Sequence, residues 1–346
     1  MLRRILFFML VMLVCFLFVQ LILLIEKRSW KKMSRAWSSP LDRLAVDHAG
    51  MVLHAYQQQS QGKVIDFSVP CYQLLLSFHS KLHKPKPQRL IAGWGFYPIY
   101  GKTGFTAYKK DSMMGMLGVH HRKKKIVFSF RNTQQFKDIG ASMGVTFTKR
   151  HGLSYPGYLH HEYVKLFKTC ISSIEKLLDK LLEEEKDWAT YQLVMTGHSL
   201  GGSLATIMSI YMAGNDFYGL FWGRNNLSLI TFGAPYVLAR YKKKDFRHTW
   251  LYKKISYVKC FERSTDPAPA VTQIAKFRLV NGRKNWVSSD VLRPVPIAAP
   301  VLLFHYNNSQ FNFVKAHDFR KYRKAIYGLL KPNKRGKKPH YVSFYT

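Results

Sequence analysis

Acidic residues and cysteines are both scarce in this chain of 346 residues. It has 19 Asp and Glu against 54 Lys and Arg, a formal net charge of +35, and it has 4 cysteines. Cys15 lies in an apolar run, which leaves three others, Cys71, Cys170 and Cys260, with no obvious pairing. This usage argues against a disulfide framework and favours a reducing compartment. Internal repeats and long low-complexity segments are also missing, so we expect most of the chain to fold.

The excess of positive charge predicts attraction to polyanions. Basic residues are scattered along the chain, and such a surface attracts anionic lipid head groups or nucleic acid. Alternatively, the lysines serve only as soluble surface residues. The sequence has neither zinc-finger spacing nor the aromatic signature of RNA-binding modules. We therefore expect no specific nucleic acid, and we predict an anionic lipid surface as the partner, because basic residues directly follow an apolar run.

That apolar run, residues 5–25, contains no charge. About 20 apolar residues span the hydrocarbon core of a bilayer as a helix. A cleaved signal peptide would have a shorter apolar stretch and a small-residue cleavage site, whereas Glu26-Lys27-Arg28 follows here. We predict a single-pass N-terminal membrane anchor, with a signal peptide as the alternative. Because more basic residues follow the span than precede it, the positive-inside rule favours the cytoplasmic side for the rest of the chain.

These features divide the chain into three parts. Residues 1–35 are the anchor with its basic flank, residues 36–330 form the folded domain, and residues 331–346 are a basic tail. Within the domain, apolar spacings of three and four predict amphipathic helices over 36–60 and 162–188. Buried strands are predicted at Ile126–Phe130, Tyr191–Thr196, Leu227–Pro235 and Ile255–Glu262. Strands that alternate with helices predict a mostly parallel sheet covered on both faces.

The stretch YQLVMTGHSLGGSLATIMS contains a G-x-S-x-G pattern centred on Ser199. The pattern alone is weak, but a buried strand precedes it and a helix follows it, as in the nucleophile elbow of hydrolases. Gly197 and Gly201 suit a strained turn, because side chains there would strike the backbone near the serine. The alternative is a glycine-rich helix start that binds an anion. We identify Ser199 as the candidate nucleophile.

A serine nucleophile needs a base, and the base needs an acid to orient it. In α/β-hydrolases the acid follows the nucleophile along the chain and the histidine comes last. Asp266 lies just after the predicted strand Ile255–Glu262, and the carboxyl ends of parallel strands face the site. An aspartate before proline is also common in ordinary turns. Asp245 and Asp290 are the alternative acids.

Five pieces of the chain, IVFSFRNT, TGHSLGGSLA, TFGAP, ERSTDPAP and AHDFRKY, occur in this order between about residues 90 and 325. Together they resemble the fungal-type (class 3) lipase family. The resemblance implies an α/β-hydrolase fold and a serine ester hydrolase that needs no metal and no organic cofactor. It assigns the acid to Asp266 and the base to His317 in AHDFRKY. His305, in LLFHYNN, is the alternative base.

Two backbone donors are needed for an oxyanion hole. One is the N–H of Leu200, the residue after the nucleophile, and the resemblance implies Thr133 as the other. Asn132 stands where the family usually has Gly, and Asn tolerates left-handed backbone better than most residues. Residues 134–147 occupy the position of the family's lid, with an ordinary amphipathic connector as the alternative. We expect His198 to point away from the site and to serve only in packing.

The sequence therefore predicts a membrane-anchored serine lipase that hydrolyses carboxylic esters of acylglycerols or phospholipids through Ser199, Asp266 and His317. One alternative is a non-catalytic lipid-binding or scaffold protein that retains the lipase fold; Asn132 and the net charge of +35 favour it. A second alternative is a nucleic-acid-associated protein.

Overall fold

The structure is a computed structural model that describes part of the chain. The predicted anchor, residues 5–25, lies outside the described residues, and within them no helix is long and apolar enough to cross a membrane. The described residues are 39–60, 93–102, 111–132, 146–149, 151–184, 187–215, 226–241, 254–263, 266, 268–269, 278–280, 284–286, 292–295, 301–303, 317–328 and 341–343.

A mostly parallel sheet of eight strands lies at the centre of the fold. Its strands are β1 (Gly95–Lys102), β2 (Asp111–His120), β3 (Lys125–Phe130), β6 (Gln192–His198), β7 (Leu227–Phe232), β9 (Tyr257–Arg263), β13 (Val301–Leu303) and β14 (Tyr341–Ser343), and they follow one another in that order across the sheet. Neighbours from β3 to β13 are parallel, while β1, β2 and β14 pair antiparallel at the two sides. This arrangement confirms the predicted α/β class.

The register of the parallel strands brings their carboxyl ends to one edge of the sheet. Phe130 at the end of β3 pairs with Gly197 in β6. His198 at the end of β6 pairs with Phe232 at the end of β7, which in turn pairs with Phe261 in β9. Whatever follows these four strands therefore meets at a common edge, which is where open α/β sheets place their sites.

In the described part of the chain, four helices cover the two faces of this sheet. They are α1 (Pro40–Ser60), α2 (His161–Glu184), α3 (Leu200–Gly214) and α4 (Phe319–Gly328). Apolar residues of α2 and α3 pack with the sheet in one core, and those of α1 and α4 pack in the other. The predicted helices over 36–60 and 162–188 are confirmed as α1 and α2, each with slightly different ends.

A second sheet was not predicted. Its six strands are β4 (Thr146–Thr148), β5 (Tyr158–His160), β8 (Leu238–Tyr241), β10 (Arg278–Val280), β11 (Lys284–Trp286) and β12 (Leu292–Val295), in the order β11-β10-β4-β5-β8-β12. Each strand has only three or four residues. Runs this short carry too little alternation to be recognised in a sequence.

Helix α1 begins at a reciprocal cap and is tied to two distant elements. Ser39 Oγ accepts a hydrogen bond from the Asp42 backbone N–H (3.1 Å), and Asp42 Oδ2 accepts one from the Ser39 N–H (2.7 Å), as in a capping box. Asp42 also accepts from Lys259 Nζ on β9 at 2.8 Å. Further along α1, Asp47 accepts from Arg323 Nε on α4 at 3.2 Å. Helix α1 thereby holds β9 and α4 against the same face.

Candidate active site

Ser199 occupies the turn between β6 and α3 in a strained conformation. Its φ and ψ are 56° and −128°, and a positive φ is uncommon for any residue other than glycine. The turn is tied to the neighbouring strand, because the Ser199 N–H donates to the Phe232 carbonyl at 3.0 Å. The Ser199 carbonyl in turn accepts from the Gly202 N–H at 2.9 Å, in the first turn of α3. The predicted strand–turn–helix is therefore present.

Close backbone contacts explain the two glycines of the pattern. A Cβ on Gly197 would lie 2.3 Å from the carbonyl carbon of Gly201, and a Cβ on Gly201 would lie 2.1 Å from the carbonyl oxygen of Phe130. Both distances are far below van der Waals contact, so any side chain would force the turn apart. The helix start must approach β3 this closely to bring Ser199 to the sheet edge.

The hydroxyl of Ser199 is buried and is not hydrogen-bonded to any described residue. The residue is 1% exposed, and its Oγ has no hydrogen-bond partner among the described residues. A buried hydroxyl normally finds a partner. Such a group at a strained turn is a candidate functional atom.

His317 and Asp266 form a buried pair. His317 Nδ1 donates to Asp266 Oδ2 at 2.7 Å, and both residues are less than a tenth exposed. Asp266 follows β9, and His317 precedes α4. The bond places the imidazole proton on Nδ1, which makes Nε2 the basic nitrogen of the ring. The two predicted residues are thus brought together although 51 positions separate them.

Tyr322 adds a donor to the carboxylate. Its hydroxyl donates to Asp266 Oδ2 at 2.5 Å and accepts from the Arg263 backbone N–H at 3.2 Å. The Ala268 N–H donates to the other carboxylate oxygen at 2.9 Å. Burial, together with the charge of Asp266, raises the pKa of Tyr322 well above its ordinary value, so the phenol stays protonated. In the sequence, the only signal for this contact is the tyrosine that ends the AHDFRKY piece.

A second carboxyl group lies nearby in a different environment. Glu262, in β9, is buried, and Tyr236 donates to its Oε2 at 3.2 Å. Burial raises the pKa of Glu262 to about 8, the hydrogen bond from Tyr236 acts against this shift, and the charge of Asp266 adds to it. Glu262 is therefore mostly protonated at neutral pH. No pattern in the sequence pointed to this residue.

The sequence predicted that His198 points away from the site, but in the structure its side chain lies against the site. Its ring centroid lies 4.5 Å from that of His317 and 5.3 Å from that of Phe319. The Asn132 side-chain amide donates to His198 Nδ1 at 3.4 Å. The expected orientation was wrong, because His317, which precedes α4, and Phe319 of α4 both pack against the His198 ring, whereas the expected packing role agrees with these contacts. The sequence spacing within the elbow could not show this.

Other predicted positions are only partly covered. Leu200 is the first residue of α3, where the backbone N–H groups have no acceptor within the helix. Thr133 and residues 134–145 of the predicted lid lie outside the described residues, and the last two lid positions belong to β4. The alternatives Asp245, Asp290 and His305 also lie outside the described residues.

Within the described part of the chain, no group of three or more His, Cys, Asp or Glu residues is arranged to hold a metal ion.

The sheet topology and this edge together define an α/β-hydrolase fold. Parallel strands lead into a strained serine turn, and an Asp–His pair stands beyond the next strands at the same edge. Residues 127–275 match the Lipase (class 3) family, which confirms the predicted relationship over that segment. The segment contains Ser199 and Asp266, whereas His317 lies beyond it.

Solved structures of fungal lipases are similar to this chain at low sequence identity. The nonglycosylated LIP2 lipase of Yarrowia lipolytica is 14% identical, covering 79% of this chain and 83% of that one, with a TM-score of 0.49. The lipase of Rhizopus microsporus var. chinensis is 15% identical, covering 77% and 82%, with a TM-score of 0.48. The N225Q mutant form of MDLA from Penicillium cyclopium is 19% identical, covering 74% and 84%, with a TM-score of 0.46.

Proposed function

We propose that this chain is a lipase-like serine hydrolase that cleaves carboxylic esters of acylglycerols or phospholipids. The observation that carries the proposal is the 2.7 Å hydrogen bond between His317 and Asp266 at the sheet edge where the strained Ser199 stands. A hydroxyl nucleophile needs an oriented base of this kind. The match of residues 127–275 to the class 3 lipases supports an ester as the substrate.

In the proposed reaction, Ser199 Oγ attacks the ester carbonyl while His317 Nε2 takes the hydroxyl proton. Asp266 stabilises the imidazolium that forms. The N–H of Leu200 and a donor from Thr133 bind the oxyanion. His317 then gives its proton to the leaving alcohol. A water molecule, deprotonated by His317, attacks the acyl-enzyme, releases the fatty acid and regenerates the serine.

Labelling by a fluorophosphonate probe tests this proposal. The full chain is treated in detergent micelles, and we expect covalent labelling that Ser199→Ala abolishes. Ser209→Ala is the matched control, because that buried hydroxyl donates to the Ala205 carbonyl inside α3 and should leave labelling intact. Undiminished labelling of Ser199→Ala, or a folded protein that the probe does not label, would overturn the proposal.

Fatty acid release distinguishes the two substrate classes. Mixed micelles that contain either an acylglycerol or a phospholipid are incubated with the full chain and with Ser199→Ala. Release from one class by the unsubstituted protein alone assigns the substrate. A labelled protein that releases no fatty acid from either class would show that the ester lies outside both.

One observation favours the alternative of a non-catalytic lipid-binding protein. Asn132 places a side chain, bonded to His198, where the family usually has none. Removal of an oxyanion-hole donor typically costs about 3–4 kcal/mol, so a displaced turn here would disable catalysis. Binding to anionic vesicles by a folded protein that the probe does not label would support this alternative.

We also propose that residues 5–25 anchor the protein and that the domain faces the cytoplasm on an anionic lipid surface. The length of the apolar run, its lack of charge and the basic residues after it support this. Alkaline carbonate should leave the full chain in the membrane pellet. Protease should digest residues 36–346 from the cytoplasmic side of sealed membranes, and protection there would contradict the orientation.

A further inference from the structure

The imidazole of His198 lies between the end of β3 and the base His317. On one side, Nδ1 accepts a hydrogen bond from the Asn132 side-chain amide at 3.4 Å. On the other side, the ring faces His317 at 4.5 Å between centroids, with an angle of 32° between the planes. Phe319 and Tyr322 contact the remaining edges at 5.3 and 5.5 Å between centroids. The ring of His198 therefore forms one wall of the space that holds the His317 ring.

The hydrogen bond from Asn132 selects one tautomer of His198. A neutral imidazole has one N–H and one acceptor nitrogen. Because Nδ1 accepts from the amide, the proton must be on Nε2. The pattern resembles the way in which a carboxylate fixes the tautomer of a catalytic histidine, but here the orienting group is a neutral amide.

His198 is also held in its neutral state. Burial and the nearby His317 lower the pKa of His198 well below its ordinary value, while an interaction with the His317 backbone acts the other way. Among the described residues, the groups in contact with the ring are Asn132, which follows β3, His317, which precedes α4, and Phe319 and Tyr322 of α4, and none of these four is a carboxylate. An uncharged neighbour does not repel the imidazolium that His317 becomes during the reaction.

We propose that Asn132 and His198 form a positioning pair for the base: the amide fixes the ring of His198, and that ring fixes the orientation of His317. The proposal rests on the proposed function, in which His317 is the base. It also gives a use to Asn132, the departure from the family pattern. Both are positioning residues, since neither takes part in proton transfer.

Nitrogen NMR of the histidine rings tests the pair in the resting protein. The full chain is labelled with ¹⁵N-histidine in micelles, and His198→Phe and His317→Phe assign the two rings. We expect His198 to remain a neutral Nε2–H tautomer between pH 5.5 and 8. Asn132→Ala should convert it to a mixture of tautomers and move the ¹⁵N chemical shifts of the His317 ring. Unchanged His198 and His317 signals in Asn132→Ala would overturn the proposal.

The kinetics of fluorophosphonate labelling supply the second test. Asn132→Ala and His198→Phe should each slow labelling by about 10-fold, and the double variant should be no slower than the slower single variant, because the two residues act as a unit. Losses that simply multiply would overturn the pair. His160→Phe is the matched control and should label at the normal rate, since His160 is also a buried histidine but packs on Phe147 and Tyr163.

The NMR experiment and the labelling experiment together distinguish a failure of the positioning pair from a failure of the proposed function. An unsubstituted protein that the probe does not label contradicts the serine hydrolase, whereas the NMR spectra still decide whether Asn132 controls His198 and whether His198 controls His317.

Discussion

Asp266 and Glu262 are buried carboxyl groups four residues apart, and the protein surrounds them differently. Asp266 accepts hydrogen bonds from His317, from Tyr322 and from a backbone N–H. In the described part of the chain, Glu262 accepts one, from Tyr236. Burial lifts the pKa of Glu262 to about 8. One position is built to hold a carboxylate, while the other holds a neutral acid.

The contrast shows that burial alone does not decide what a carboxyl group does. Burial disfavours the charged form, and donors restore it. A carboxylate with several donors can orient His317 and stabilise its positive charge. A protonated carboxyl group such as Glu262 has no charge to offer a base, although its position in β9 is close to the site.

The largest difference should appear in reactivity when each carboxyl is converted to an amide. Asp266→Asn should slow probe labelling by about 10⁴-fold, because the amide neither fixes the correct tautomer of His317 nor stabilises its charge. Glu262→Gln should stay within about twofold of the normal rate at pH 7, since it replaces one neutral group by another. Labelling rates at saturating probe measure both. Equal losses would mean that Glu262 takes part in the chemistry.

Removal of one donor from Asp266 should have a smaller effect. Tyr322→Phe deletes a hydrogen bond to a charged group, which is worth about 1.5–3 kcal/mol, and the free energy of unfolding should fall by that amount. We expect labelling to slow by about 10-fold, because the carboxylate is held less firmly. Tyr327→Phe is the control: its hydroxyl binds Asp47, away from the acid, so stability should fall while the labelling rate does not. A normal rate in Tyr322→Phe would make Tyr322 purely structural.

The pH dependence of stability should reveal the proton on Glu262. Its pKa is about 8 in the folded protein against an ordinary value of 4.5, so the folded state binds the extra proton between these values. The stability that Glu262 contributes is complete below pH 4.5 and is lost as pH rises through 8, by about 1.4 kcal/mol per pH unit.

Glu262→Gln removes this dependence. The free energy of unfolding of the variant minus that of the unsubstituted protein should increase from pH 5 to 8, as measured by urea denaturation at several pH values. Taking the difference cancels the contributions of the other titrating groups. A difference that stays constant with pH would show that Glu262 is ionised throughout.

The smallest effect is expected from Tyr236→Phe. This change removes the donor of Glu262, so the pKa of the carboxyl should rise further, and unfolding at pH 7 should cost about 1 kcal/mol less. Thermal denaturation measures the loss. Probe labelling should be unaffected, because the carboxyl is already protonated. A slower labelling rate would instead show that Tyr236 influences Asp266.

The local parts of the site could be predicted from the sequence, and the reason is visible in the structure. The elbow depends on a buried strand, two glycines and a helix that are contiguous in the chain, so a pattern of a few residues contains it. The pairing of Asp266 with His317 was predicted from chain order and from the resemblance to a family. The structure brings those two residues to hydrogen-bond distance.

The contacts that could not be predicted depend on how α4 packs. His198 meets His317, and Tyr322 meets Asp266, only because α4 lies on one face of the sheet. A sequence gives the faces of a helix but not the place where it docks. The charge state of Glu262 could not be predicted either, because the burial of this side chain and the hydrogen bond from Tyr236 involve separate parts of the chain.

The ties of helix α1 have a consequence for the order of events during synthesis. The bond between Asp47 and Arg323 spans 276 residues, and that between Asp42 and Lys259 spans 217. Ribosomes add about 5–20 residues per second, so α1 waits tens of seconds before α4 emerges. Contacts this distant also slow folding, because long loops must close first. The nascent chain therefore completes these two ties late in translation, and the imidazole of His317 joins its carboxylate later than the elbow strand and helix can form.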